Sequence, residues 1–541
     1  MMIRIRRTVI ALVLLLLIGA HDLSAHAAPK VDSVFPLGGQ RGTTVEVEVR
    51  GTGLKGTYAV WLGPGTGRES PSTKGPDGIE AHVKAVPDAS RAQVRLAIAA
   101  DARLGFHNLS LVSPTGLSGA APFWVGAEAV AQAAATPHTS EETAQPVKLP
   151  VVINGRLTEG GQLNYYSFDV SREQKVAFEV IASHGPKAAA HLAIEPQLAL
   201  YEAGGSYLDP RWSKRLLFHE EITQGGIPAN RRTTYQFTKS GRYLVNFGNR
   251  LGAGGAGSTY LLRIAPADET AGAEESAISW AKRRLQAVRS RSVGATAADV
   301  ELVKEAEPND EPAQANAFRV PAVLEGTIGR SGDIDRFRFK ARAGEKLTFE
   351  VQTPSAGPPR FNLRLDVLDA KGAVVLSNLS VQDGKIGTEA TKVIRVAPEL
   401  VSKLDQEGEY TLRVRDLTSL RGSADHAYRV LVRPQVPHVG DPRVRPEGPV
   451  NLRPGAKQRL TVSAPGKEDF AGTLALSVEG LPQGVKAFVG ANGSTIELVA
   501  DASAPATPLP QVVRVSGLPI VGAKSGSAFL VAEVPVMIVN K

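Results

Sequence analysis

The chain has no cysteine in 541 residues, which excludes disulfides, thiolate metal sites and cysteine nucleophiles together. Aromatic residues are scarce, at 6%. Outside the N-terminal segment no apolar run approaches the ~20 residues that a spanning helix needs. The C-terminal FLVAEVPVMIVN holds Glu533 and Pro535 and reads as a strand. Catalytic spacings are missing too: there is no G-x-S-x-G elbow, H-E-x-x-H helix or G-x-x-x-x-G-K-[ST] loop. GAGGAG at 252–257 satisfies G-x-G-x-x-G, but it lies between two strand-like segments with no helix after it, so it reads as a hairpin loop. The histidines are scattered, and His219 beside Glu220 and Glu221 has no evident partner. Trp212 and Tyr207 stand in a loop where an aromatic would plug the fold or stack a ligand. These absences point away from an enzyme.

What is present begins with an export signal. Arg4, Arg6 and Arg7 precede a short apolar run from Val9 to Ile18, and Ala25-His26-Ala27 supplies a cleavage site. Residues 1–27 are therefore expected to be removed, leaving an exported periplasmic, cell-surface or extracellular protein with no transmembrane segment. Gly 54 and Pro 36 fit many short strands joined by turns, and a chain of this length divides into several cores. The net charge of +8 is spread along alternating strands. Its densest cluster, KRRLQAVRSR at 282–291, reads as a solvated helical linker rather than a nucleic-acid or membrane contact.

Residues 31–54 set a Gly-rich turn before strict alternation of Val45, Val47 and Val49 with charged neighbours, a half-buried strand. Strand-like segments continue to about residue 126, and Ala-rich 127–145 reads as a linker. An internal repeat follows. Residues 154–180 align without gaps on 325–351, matching Gly155 with Gly326, Phe168 with Phe339 and Phe178 with Phe349. The match resumes at 200–205 against 367–372, 241–247 against 408–414, and 260–264 against 428–432. One β-domain is thus present twice, over 146–266 and 303–434. Between them lies a helical linker (267–302), with Ile278, Ala281, Leu285 and Val288 at helical spacing. Residues 435–541 read as an immunoglobulin-like β-sandwich. The expected class is all-β: tandem β-sandwich or jelly-roll and immunoglobulin-like domains with one helical linker.

One stretch of the second copy concentrates oxygen donors. EAEPNDEP at 305–312 places Glu305, Glu307 and Asn309 on alternate positions of an extended segment, with Asp310 in the turn that follows. Further on, GDIDRFRF opens a strand whose core face carries Phe337 and Phe339, and period two puts Asp333 and Asp335 on that same face. A carboxylate there is costly unless paired, with Arg330 or a bound cation as partner. Five carboxylates and one amide suit Ca2+, which takes about 6–8 oxygens. The lack of histidine and thiolate argues against zinc. In the first copy Gln162 and Asn164 replace the two aspartates, and an Ala/Thr/Glu stretch near 134–139 replaces the acidic segment. Joint loss of both halves fits one shared ligand; the alternative is a solvated acidic turn.

The pattern E-x-E-P-N-D…Q-A, then G-D-x-D-x-F-x-F…A-G-E, resembles the bacterial pre-peptidase C-terminal (PPC) domain, a β-sandwich module of secreted peptidases and other exported proteins. That resemblance implies calcium ligands at Glu305, Glu307, Asn309, Asp310, Asp333 and Asp335, and a degenerate first copy. Residues 28–126, on Pro36, Gly38-Gly39, Gly42, the alternating valines, Gly51 and Gly53-Leu54, resemble an IPT/TIG immunoglobulin-like domain. The overall order is similar to that of long exported proteins of environmental bacteria such as planctomycetes. It implies a non-catalytic binding, adhesion or scaffold protein with an extracellular protein or polysaccharide ligand and no nucleic acid. The alternatives are accessory domains associated with a secreted peptidase or other hydrolase, or an envelope spacer.

Overall fold

The computed structural model describes residues 28–63, 78–133, 138–182, 196–202, 216–221, 231–249, 252–267, 276–296, 299–352, 363–386, 389–397, 399–419, 422, 426–490 and 493–540. Residues 1–27, expected to be an export signal, and the stretch holding Tyr207 and Trp212 lie outside them. The described chain is all-β, with four sandwiches and one α-helix. Among the described residues no helix is long and apolar enough to cross a membrane.

Alternation produces the strands, as expected from period two. In Ile334–Ala341 the residues Asp335, Phe337, Phe339 and Ala341 are buried, while Arg338 and Lys340 face out. The second and third sandwiches share one strand order. In the third, one sheet runs Glu301–Lys304, Ala322–Thr327, Ala427–Pro434, Lys346–Gln352, Glu399–Lys403. Its partner sheet runs Asn316–Ala317, Ile334–Ala341, Gly408–Asp416, Leu363–Leu368, Val374–Ser377. The second sandwich repeats this, from Val130–Gln132 beside Val151–Arg156 and from Gln145–Pro146 beside Leu163–Val170. Each core is packed from both inner faces, in the third by Phe337, Phe339, Phe349, Leu412 and Tyr428. The third sandwich adds a hairpin, Leu379–Ile386 with Glu389–Val396.

Two readings change. The expected linker 127–145 contributes two edge strands, Val130–Gln132 and Gln145–Pro146, each parallel to its neighbour. Short edge strands need few apolar residues, which is why composition disguised them. The helix Ala277–Ser290 is capped by Ser276, but it is not solvated all round. Ala277, Trp280 and Ala281 pack on Val300, Val323 and Leu431. Arg284 pairs with Glu350, and Arg291 with Asp441 of the fourth sandwich.

Candidate metal centre

The acidic segment is the strap that crosses between the two sheets of the third sandwich. The chain leaves one sheet at Lys304, traverses 305–315 and enters the other at Asn316. The traverse closes the end of the sandwich where strand Ile334–Ala341 begins, so the two acidic halves meet. Asn316 secures the strap, its amide oxygen accepting from Ala306 N at 2.9 Å.

Glu307, Asp333 and Asp335 each bring a carboxylate oxygen within 4.8 Å of the others. Asp335 and Asn309 are 0% exposed and Asp333 3%, whereas Glu307 lies at the open edge. Asp333 Oδ2 accepts from Gly329 N at 2.6 Å, but its Oδ1 is buried without a hydrogen bond; the nearest cation is Arg330, at 3.5 Å. Glu305 Oε1 accepts from Thr327 N at 2.8 Å, and its Oε2 is buried without a hydrogen bond, the carboxylate lying beside that of Asp335. One end of the Asn309 amide lies 3.3 Å from Asp335 Oδ1 and 3.2 Å from Ile334 O. Its nitrogen there donates to both; its oxygen there, facing only acceptors, suits a cation.

Asp310 is placed differently. Its Oδ1 accepts from Ile334 N at 3.0 Å and its Oδ2 pairs with Arg330. It ties the strap to the mouth of the strand and anchors Arg330 beside the cluster. Tyr428, which sequence reasoning missed, is fully buried and donates from Oη to Asp335 Oδ2 at 2.6 Å. Its signal was available in the repeat, where it aligns with Tyr260. Gly326 makes room for it, since a Cβ there would lie 2.4 Å from Tyr428 Oη.

The electrostatics are unbalanced. Burial, then repulsion from Glu305 and Asp333, outweighs the Tyr428 hydrogen bond and pushes Asp335 up to about 9. Burial also raises Glu305. With protein groups alone, the cluster therefore holds a proton where a cation would serve. Its donors are all hard oxygens, two of them buried and without a hydrogen bond, and they fit a calcium ion better than a softer metal.

At the same position in the second sandwich the strand-mouth side chains are neutral and bonded to one another. Asn164 Nδ2 donates to Tyr260 Oη at 2.7 Å and to Arg156 O at 3.1 Å. Gln162 Nε2 donates to Asn164 Oδ1 at 2.7 Å, and Tyr166 meets Tyr260 hydroxyl to hydroxyl. Of the strap that replaces the acidic segment, residues 134–137 lie outside the described residues.

No family model matches the chain, and no curated protein does. Among solved structures it is similar to the pre-peptidase C-terminal domain of collagenase from Bacillus anthracis, at 16% identity over 22% of this chain and 93% of that one, TM-score 0.16. It is also similar to PliG of Aeromonas hydrophila, a periplasmic inhibitor of g-type lysozyme, at 16% identity over 25% of this chain and 97% of that one, TM-score 0.15. A third is SGBP-B from a xyloglucan utilization locus in Bacteroides uniformis, at 11% identity over 44% of this chain and 74% of that one, TM-score 0.15. At TM-scores of this size the likenesses carry no functional argument.

Proposed function

We propose that this chain is an exported, non-catalytic binding or scaffold protein whose third sandwich is a PPC-type module stabilised by one calcium ion. In this reading the second sandwich is a copy that has lost the metal, and the first is of IPT/TIG type. The observation that carries the proposal is the pair of buried oxygens that accept no hydrogen bond, Asp333 Oδ1 and Glu305 Oε2, beside the converging oxygens of Glu307 and Asp335. Three or more carboxylates do not stay together in a closed end of a sandwich without a proton or a cation. Glu305, Glu307, Asn309, Asp333 and Asp335 would hold the ion, with Asp310 placing the strap. Calcium would supply no chemistry beyond charge neutralisation and cross-linking of strap to strand.

Thermal unfolding of the full chain tests this. Calcium at ~100 times its Kd stabilises the state that binds it by about 2.7 kcal/mol. A transition should therefore move upward in calcium and downward in EDTA, with magnesium less effective because it demands tighter octahedral geometry. Superimposable curves in EDTA and millimolar calcium would sink the metal reading.

A further inference from the structure

The outer face of the sheet whose core side carries Asp335 presents a second unusual constellation. Strand pairing sets Arg336 opposite Arg413 and Arg364 opposite Arg415. Like charges directly opposite on one sheet face are destabilising. Asp366, 0% exposed, accepts from Arg364 Nε at 2.9 Å and from Arg413 at 2.7 Å. Ser377 Oγ also donates to it, at 2.8 Å, so its oxygens are fully engaged. Arg336 donates Nε to a neutral acceptor, the Asp310 carbonyl, at 2.6 Å. Arg415 Nε is buried with no hydrogen-bond partner among the described residues. Burial, then repulsion from Arg364 and Arg413, depresses the Arg415 pKa. Among the described residues, the face therefore carries more positive charge than neighbouring carboxylates neutralise.

The fold does not require these arginines. In the second sandwich the equivalent pairs are Tyr165 opposite Asn246 and Gln197 opposite Gly248, with Ala199 in the place of Asp366. The same sheet stands there with no charge at these positions. A cluster that opposes its own sheet and leaves a buried donor unpaired calls for an external anion. Guanidinium forks match carboxylate and sulfate groups in two-point contacts. Strands ~4.8 Å apart with same-face residues ~6.8 Å apart along each strand form a flat grid for successive charges on an extended polymer. The outward residues of these strands include no aromatic, so the stacking platform of single-stranded nucleic-acid binders is missing. Asp310 and Glu311 border the grid beside Arg336; they would repel a broad anionic surface but leave room for a chain.

We propose that Arg336, Arg364, Arg413 and Arg415 form a binding face for an acidic polysaccharide, one bearing uronate or sulfate groups. The site is separate from the metal centre, and its test is run in EDTA so that the two proposals fail independently. The full chain is titrated calorimetrically with polygalacturonate, dextran sulfate and neutral dextran at low and moderate salt. At least one acidic polymer should bind, more weakly as salt rises, while dextran should not. Arg415→Gln, which breaks no observed bond, should weaken binding about tenfold, roughly one charge-assisted contact. Arg364→Gln/Arg415→Gln should weaken it further, whereas Arg459→Gln on the exposed face of the fourth sandwich should change nothing. Unchanged melting would confirm that each variant is folded. Preference between the two polymers tells uronate from sulfate. The proposal is overturned if neither polymer binds, or if Arg415→Gln binds like the wild type. Equal weakening by Arg459→Gln, or Arg415-dependent binding to anionic phospholipid vesicles alone, would overturn it as well.

Discussion

Asp335 marks the deepest difference between the two repeat copies. Where it stands, the second sandwich has Asn164, whose neutral amide donates to the equivalent tyrosine, Tyr260. Asp335→Asn should therefore make the third sandwich more stable in EDTA, by about 1–3 kcal/mol, the cost of a poorly satisfied buried polar group. The same variant should lose its calcium-dependent rise in melting temperature; a variant that melts lower in EDTA and keeps that rise would contradict the account. Arg330 lies at the opposite pole. Its guanidinium pairs with Asp310 and approaches Asp333, yet its side chain is 61% exposed. An exposed pair of this kind is worth at most about 1 kcal/mol, so Arg330→Gln should tighten calcium binding roughly 2- to 5-fold by calorimetry. At this scale the sequence was informative because period two placed Asp333 and Asp335 inward with Phe337 and Phe339. It could not show that Asp310 turns aside to Ile334 and Arg330, since residues in a turn follow no period.

Elements show where composition misleads. The strap 305–315 reads as an acidic turn, but its position depends on the two short strands it connects, whose parallel pairing is a long-range property. The helix Ala277–Ser290 was legible from its spacing, while the destination of its arginines was not. Arg284 joins Glu350, Glu399 and Asp441, and Arg433, 0% exposed, bridges Glu350 and Glu468. Glu399 sits in the edge strand of this junction. Burial, then repulsion from Glu350 and Glu468, pushes it up to about 7 against the pull of Arg433 and Arg284. The folded protein thus holds the proton more tightly than the unfolded chain, whose glutamate titrates near about 4.3. This contribution to stability is full below that value and is lost as pH rises through about 7. Glu399→Gln should flatten the fall in urea midpoint between about pH 5 and about pH 7.5; a slope equal to that of the wild type would assign the junction's pH response elsewhere.

At the scale of the molecule the sandwiches do not simply string out. The first and second share a junction in which Asn154 accepts from Leu37 N at 2.9 Å and donates to Gly38 O at 3.0 Å, with Val152 and Leu261 packed into the first core. The third and fourth are joined by the buried Arg433 network and by Thr348 with Glu468. The first and fourth then meet. Val112 and Leu117 pack on Met537 and Val539, Asn451 exchanges hydrogen bonds with Leu117 N and O, each at 2.9 Å, and Tyr58 Oη donates to Pro508 O at 2.8 Å. Nothing in the sequence announces this closure, because each contributing residue is an ordinary strand or turn residue of its own sandwich. Its consequence is mechanical: a chain of four domains joined at both ends holds its sandwiches in fixed relative positions, whereas an open string would let them swing freely. Met537 is 2% exposed at this contact, and a charge placed there is left without a partner. Met537→Asp should open the closure, raising the radius of gyration measured by small-angle scattering while each sandwich keeps its β-structure by circular dichroism. Scattering identical to that of the wild type would mean that the apolar contact between the first and fourth sandwiches does not hold the molecule closed.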